Sequence, residues 1–177
     1  MSNRVLRSNP VYKGKIINLR VDEVELPDGR RTTREIIEHP GAAVIVPVDA
    51  EGRVHMVRQY RDAAGESLLE LPAGKLNPGE DPLDCARREF REELGLLADG
   101  WKQLASFYSS PGFCDEILHA FLATGLHPEE EETLREAFVT GETRTLEPLD
   151  RLLAELRDGK SIAGILLAHR ELFPPGR

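Results

Sequence analysis

Gly74 to Leu96 constrains this chain more than any other stretch. It opens as Gly74-Lys-Leu-Asn-Pro-Gly-Glu80, a composition that resists regular structure and lets backbone approach a ligand closely. A helix with clear punctuation follows. Asp81 is the expected N-cap, Pro82 suits the first helical position, and Gly95 is a natural stop. Leu83, Ala86, Phe90 and Leu94 recur at helical spacing and form one apolar face. Glu89 and Glu93, four residues apart, stack on another face with Glu92 beside them.

That acidic face needs compensation. Like charges at i,i+4 destabilise a helix by roughly 0.2–0.5 kcal/mol, and carboxylates near its C-terminal end oppose the macrodipole. A hard divalent cation reverses both penalties, because Mg²⁺ takes oxygen ligands and bridges to phosphate oxygens. The plainer alternative is a solvated face on which Arg88 pairs with Glu92. The loop ahead of the helix favours the cation.

The whole stretch fits G-x5-E-x7-R-E-U-x-E-E-x-G-U, with U aliphatic or aromatic. Gly74, Glu80, Arg88, Glu89, Phe90, Glu92, Glu93, Gly95 and Leu96 fill every specified position. It resembles the Nudix box of the Nudix hydrolases, which cleave nucleoside diphosphates linked to another moiety.

Composition sets the outer bounds. A length of 177 residues fits one domain with a small appended element, and 40% apolar with 31% charged is a soluble globular balance. Met1 to Lys15 is polar and basic, so no secretory leader is expected there, and no apolar run reaches membrane-spanning length. A cytoplasmic protein is expected. Cys85 and Cys114 are too few for a disulfide framework and lack a zinc spacing. The net charge of −8 argues against general nucleic-acid binding, which needs a basic surface. Residues 1–40 nevertheless carry eight Lys/Arg against six Asp/Glu.

Read in order, Lys15–Leu26 and Arg31–Glu38 are expected strands joined by a turn at Pro27-Asp-Gly-Arg30. Ala42–Val48 is continuously apolar and reads as a buried strand, Val54–Tyr60 as its return, and Leu68–Leu71 as a brief strand into the loop. Further strands are expected over Trp101–Tyr108, Glu116–Ala123 and through Phe138-Val139. Helices are expected over Asp150–Leu156 and Ile162–Leu172, the second capped by Ser161. Mixed strands with a central and a terminal helix indicate an α+β domain.

The resemblance sharpens this to a Nudix-type α/β/α sandwich with a mixed central sheet, preceded by a small N-terminal antiparallel strand segment. Residues 1–40 would form that segment, for substrate recognition and dimerisation, and residues 41–177 the catalytic domain. Pro111 lies 15 positions after Leu96 within Ser109-Ser-Pro-Gly-Phe-Cys-Asp-Glu116. That setting, with Arg58-Gln-Tyr-Arg61 and Glu70-Leu-Pro-Ala-Gly74, is similar to the ADP-ribose pyrophosphatase subgroup. The subgroup implies Mg²⁺-dependent hydrolysis of ADP-ribose to AMP and ribose 5-phosphate, with two or three ions per site and Mn²⁺ or another divalent ion as alternatives. Carboxylates suit such ions because Glu, with an ordinary pKa of about 4.3, is ionised at neutral pH.

Carried over residue by residue, the resemblance makes Glu89, Glu93 and the Ala73 carbonyl metal ligands. Glu92 becomes a further ligand or a support for one. Arg88 would brace the acidic cluster, and Glu80 would orient the loop or its metal-bound waters. The general base falls in Glu129–Glu132, with Glu130 as the base and Glu132 near the metal. A run of four glutamates is equally the composition of a solvated loop. Arg61, with Arg58 as alternative, would pair with phosphate, Glu116 with ribose hydroxyls, and Tyr12 would stack on adenine. Ordinary surface ion pairs are the competing account of both arginines. A homodimer through the N-terminal strands is also implied. Two other functions compete: hydrolysis of another nucleoside diphosphate sugar such as GDP-mannose, and a non-catalytic ADP-ribose-binding sensor.

Overall fold

A computed structural model gives the structure of the protein and describes residues 2–129 and 139–174. The chain divides into two compact units, Met1–Gly41 with Tyr108–Ile117, and Ala42–Phe107 with Leu118–Arg177.

The first unit is built on an antiparallel sheet of β1 (Arg4–Lys13), β2 (Asn18–Glu25) and β3 (Arg31–Glu38), in that order. The expected hairpin is β2–β3, closed where the Leu26 amide donates to the Arg30 carbonyl at 2.8 Å. Strand β1 was not expected. It is exposed along most of its length, contains Pro10, and shifts register at Val5/Arg7 and Pro10/Tyr12, so it carries little period-2 alternation. It is held partly by Asp22, a buried carboxylate that accepts from the Ser8 hydroxyl at 2.6 Å and from Arg20 Nε at 3.2 Å. The Ser-Pro-Gly loop belongs to the same unit. The Ile37 amide donates to the Phe113 carbonyl at 2.8 Å, the Asp115 amide returns to the Ile37 carbonyl at 3.1 Å, and the His39 amide reaches Asp115 Oδ1 at 2.8 Å.

The second unit contains β4 (Ala42–Pro47), β5 (Arg53–Arg61), β6 (Glu66–Glu70), β7 (Ala73–Lys75), α1 (Pro82–Leu94), β8 (Leu96–Tyr108), β9 (Ile117–Pro128), β10 (Thr140–Thr145), α2 (Leu149–Glu155) and α3 (Gly159–Leu172). One sheet runs β7-β4-β9-β8 and is mixed, since β4 lies parallel to β9 and antiparallel to β7; a second runs β10-β5-β6. The continuous apolar run of β4 is explained by two cores. Val44 and Val46 pack with Leu118, Leu122, Ile165 and Ala168, whereas Ala43 and Ile45 pack with Cys85, Ala86, Phe90 and Phe121. Successive strand residues face opposite ways, so a strand covered on both faces must be apolar at every position. Helix α1 covers one face of β4 and α3 the other, giving the expected sandwich.

Several boundaries differ from expectation, and Gly74 and Lys75, expected in the loop, lie in β7, where they pair with Ala43 and Ala42 of β4. Strand β8 begins at Leu96 and β9 extends to Pro128. Of the strand expected through Phe138-Val139, Phe138 lies outside the described residues and Val139 precedes the strand, which is Thr140–Thr145. Its polar Thr-Gly-Glu-Thr-Arg-Thr sequence offers no apolar signal, and pairing with β5 holds it. Asp158, not Ser161, caps α3 by accepting the Ser161 amide at 3.0 Å. Gly159 and Lys160 are helical because that cap sits one turn earlier.

Candidate active site

Helix α1 is fixed at both ends by its own sequence. Asp81 Oδ1 accepts the Leu83 amide at 2.8 Å, and Gly95, at φ 64° and ψ 33°, returns its amide to the Arg91 carbonyl at 2.8 Å. The left-handed conformation at Gly95 strains any residue with a Cβ. Phe90 fixes the rotation of the helix. It is fully buried and meets Trp101 edge-on, with ring centroids 5.9 Å apart and planes at 84°. With that face docked, Glu89 and Glu93 turn inward and are only 8% and 6% exposed.

Strand β7 meets the helix at Gly74. A Cβ built there would lie 1.8 Å from Glu89 Cδ and 2.0 Å from its Oε1. No side chain fits between this backbone and the carboxylate. Cys85, buried in α1, points its thiol at the Gly74 and Lys75 carbonyls at 3.6 and 3.5 Å, and burial pushes that thiol up to about 11.

Arg88 organises the surrounding charge. Its Nε and Nη2 bond Glu80 Oε1 and Oε2 at 2.9 and 3.0 Å, and its Nη1 reaches Glu89 Oε1 at 2.6 Å and Glu92 Oε2 at 3.3 Å. Nη2 also donates to the Lys75 carbonyl at 3.3 Å. One guanidinium thus ties three carboxylates to the loop, and the expected Arg88–Glu92 pair is one strand of that web. Glu80 Oε2 accepts the Asn77 amide at 2.8 Å as well. Arg88 and that amide hold the Glu80 carboxyl down at about 2. In return Glu80 foremost keeps Arg88 firmly protonated.

The donor set suits a hard divalent cation: two inward carboxylates on adjacent turns, with strand β7 backbone packed so closely that only glycine fits. Among the described residues no group of three or more His, Cys, Asp or Glu side chains could hold an ion by itself. Mg²⁺ does not require one, since it is bound through one or two carboxylates and completes its octahedron with waters and substrate phosphates.

The arginines considered for phosphate are both engaged. Arg58 pairs with Glu142 at 2.5 Å, as an ordinary ion pair would. Arg61 forms a two-pronged pair with Glu70, Nε to Oε1 at 2.8 Å and Nη2 to Oε2 at 2.7 Å. Arg61 also feels the negative charge of Glu93, a weaker influence than Glu70 in keeping it protonated. Glu116 and Tyr12 belong to the first unit. The Glu116 carboxylate lies 3.3 Å from His39 Nδ1, and Tyr12 is 58% exposed. Glu130 and Glu132 lie outside the described residues. The chain arrives there beside α1: the Glu129 amide donates to the Gly95 carbonyl at 3.2 Å, and its carboxylate lies 3.7 Å from Arg91.

Sequence reasoning gave no role to Glu70 or Lys160. Glu70 is 1% exposed and accepts from both Arg61 and Lys160. Burial alone would raise its carboxyl, but the two cations hold it below the usual carboxylate range. The available signal was a single charge inside the apolar run Leu68-Leu-Glu-Leu71.

Known proteins resemble this chain along most of its length. Residues 38–169 match the NUDIX domain, and residues 4–37 match the nucleoside diphosphate sugar hydrolase N-terminal domain. An ADP-ribose pyrophosphatase of Bacillus subtilis (strain 168) is 40% identical over 169 residues, covering 93% of this chain and 91% of the relative. An ADP-ribose pyrophosphatase of Mycobacterium tuberculosis is 42% identical over 169 residues, covering 93% and 82%. A crystal structure of an ADP compounds hydrolase superposes with a TM-score of 0.85 at 21% identity, covering 97% of this chain and 95% of that one, and so shares the fold. With the box complete from Gly74 to Leu96 and the family match spanning most of the chain, this protein belongs to the Nudix hydrolase family.

Proposed function

We propose that this enzyme hydrolyses the diphosphate of ADP-ribose, releasing AMP and ribose 5-phosphate. The observation that carries the reading is the inward Glu89–Glu93 pair, cradled by Gly74 and braced by Arg88, in a chain 40% identical to a named ADP-ribose pyrophosphatase over nearly its whole length.

Members of this family use divalent metal ions, and Mg²⁺ is the ion we assign here, two or three per site, with Mn²⁺ as a substitute. Such ions, when bound, bridge phosphate oxygens and lower the pKa of an attacking water. Glu89, Glu93 and the Ala73 carbonyl would hold them. Arg88 keeps Glu89 and Glu92 oriented, and the position of an acidic ligand matters as much as its identity. Glu80 locks the loop through Asn77, a support for its proposed role in orienting the loop. Glu130 would take the proton of the attacking water and Glu132 would add a metal contact. Both follow Glu129, which is tethered at the C-terminal end of α1.

Arg61 would grip the diphosphate. Arg58, paired with Glu142, is the weaker choice. Glu116 would accept hydrogen bonds from ribose hydroxyls, and the exposed Tyr12 ring would stack on adenine. A homodimer through the N-terminal strands is supported by Val5, Val11 and Ile16, which are 56%, 59% and 61% exposed in the first unit. Among the described residues no helix is long and apolar enough to cross a membrane; a cytoplasmic location and a small-molecule substrate remain our assignment.

The match of residues 4–37 to the nucleoside diphosphate sugar hydrolase N-terminal domain favours one second reading, another sugar nucleotide such as GDP-mannose. The deciding experiment incubates the purified protein and Mg²⁺ with ADP-ribose, ADP-sugars, GDP-mannose, NADH and dinucleoside polyphosphates. ADP-ribose should give the highest kcat/KM. Preference for GDP-mannose replaces the substrate and keeps the chemistry, whereas no turnover of any compound removes both.

A further inference from the structure

Beside the box lies a second charged cluster, assembled from β5, β6 and the first turn of α3. Glu70 closes β6 and is buried. Its Oε1 accepts from Arg61 Nε, and its Oε2 from both Arg61 Nη2 and Lys160 Nζ. Lys160 also donates to Asp158 Oδ2 at 2.8 Å. Asp158 in turn accepts the Ser161 hydroxyl at 2.5 Å, and Ser161 Oγ accepts the Leu71 amide at 2.7 Å. The first turn of α3 therefore grips two consecutive residues, Glu70 and Leu71. Those residues lead directly through Pro72 into Ala73 and Gly74.

Among the described residues, Arg61 is held by one edge. A guanidinium carries five N–H donors in a rigid plane. Nε and Nη2 are committed to Glu70, while Nη1 makes no hydrogen bond among the described residues. The side chain is 40% exposed. One fixed edge and one open edge is the arrangement that recognises a phosphate by parallel hydrogen bonds. Charge matters equally. An isolated Arg61–Glu70 pair is neutral, but Lys160 shares the same carboxylate, so less of its charge is spent on Arg61. Asp158 offsets Lys160 and its charge also reaches Arg61, so the four groups together are neutral, and loss of Lys160 would leave one net negative charge beside the open edge.

We propose that Glu70 and Lys160 are positioning residues that act through Arg61: Glu70 fixes the guanidinium by one edge, and Lys160 keeps its other edge attractive to the substrate diphosphate. The inference rests on the assignment of Arg61 to the diphosphate.

The test is a double-mutant cycle on the full chain, reading KM and kcat for ADP-ribose with Mg²⁺ and inhibition by ADP. Lys160→Met should raise KM about tenfold with little change in kcat, as loss of substrate binding alone requires. It should weaken ADP inhibition equally, and Lys160→Arg should restore both. A loss of folded protein lowers the active fraction but leaves KM unmoved, so a purely structural tether predicts no KM change. The Arg61→Gln, Lys160→Met double variant should bind no worse than Arg61→Gln alone, because Lys160 then has nothing to act through. An unchanged KM in Lys160→Met, or effects that multiply in the double variant, overturns the proposal. If Arg61→Gln itself keeps a normal KM, the assignment of Arg61 to the diphosphate is wrong and the inference falls with it. A defective Arg61→Gln beside a normal Lys160→Met removes only the inference.

Discussion

The two charged clusters of the second unit solve the same problem in opposite ways. At the box, Glu80, Glu89 and Glu92 converge on Arg88, all four within 13 consecutive residues. At the second cluster, Glu70 gathers Arg61, 9 residues away, and Lys160, 90 residues away. In the first an arginine collects carboxylates; in the second a carboxylate collects cations. In the function proposed above, the box turns acidic side chains inward for a cation, and the other cluster offers a cationic edge to an anion. A metal-dependent reaction on a diphosphate needs both. Local spacing suffices for the first, whereas the second needs the sheet and α3 to be in place.

The comparison is broken or sharpened most strongly at Glu93. Glu93→Gln keeps the shape and removes the charge, so turnover should fall by at least about 100-fold, beyond the usual cost of disturbing a ligand's support, while the melting temperature changes little. Steady-state kinetics beside a thermal melt checks this, and wild-type turnover would contradict the ligand role. Glu70→Gln should behave differently, because it removes the buried charge that Lys160 and the 40% exposed Arg61 share. Losing a charged hydrogen-bond acceptor of this kind costs about 2 kcal/mol of stability, visible as a lower denaturant midpoint. If Glu70→Gln is as stable as wild type, the second cluster does not hold the fold as described.

Gly74→Ala probes the join between β7 and the acidic helix. Its Cβ would fall 1.8 Å from Glu89 Cδ, and relieving that clash should cost about 1–3 kcal/mol and displace Glu89. Stability and activity should fall together, unlike in Glu93→Gln. The smallest expected effect is the acid dependence of Glu80. Its carboxyl sits at about 2 against an ordinary 4.5. A carboxyl depressed by folding contributes stability that is complete above about pH 4.5 and is lost as the pH falls toward 2. Urea midpoints measured across that window should decline less steeply in Glu80→Gln than in wild type, and identical slopes would place the acid-labile group elsewhere.

Legibility followed the range of the interactions. Helix α1, its Asp81 cap and its Gly95 stop were readable because each depends on residues within a turn or two. Strand β4 was readable from an apolar run that only a doubly covered strand tolerates. Strands β1 and β10 were not, since their positions are set by hydrogen bonding to β2 and β5 rather than by an apolar pattern. The cap of α3 was misplaced because Ser161 and Asp158 are both good caps; Ser161 instead holds the Leu71 amide.

The sequence by itself determined the helix, its caps and the shared face of its carboxylates, because 3.6-residue periodicity and cap chemistry act within a few residues. Tertiary structure alone decided that Gly74 must lack a side chain because Glu89 fills the space, and that Arg61 is held by Glu70 and Lys160. Neither fact has a local cause. Each arises where elements distant in sequence are packed within a few ångströms, where the geometry, not the spacing, chooses the partner.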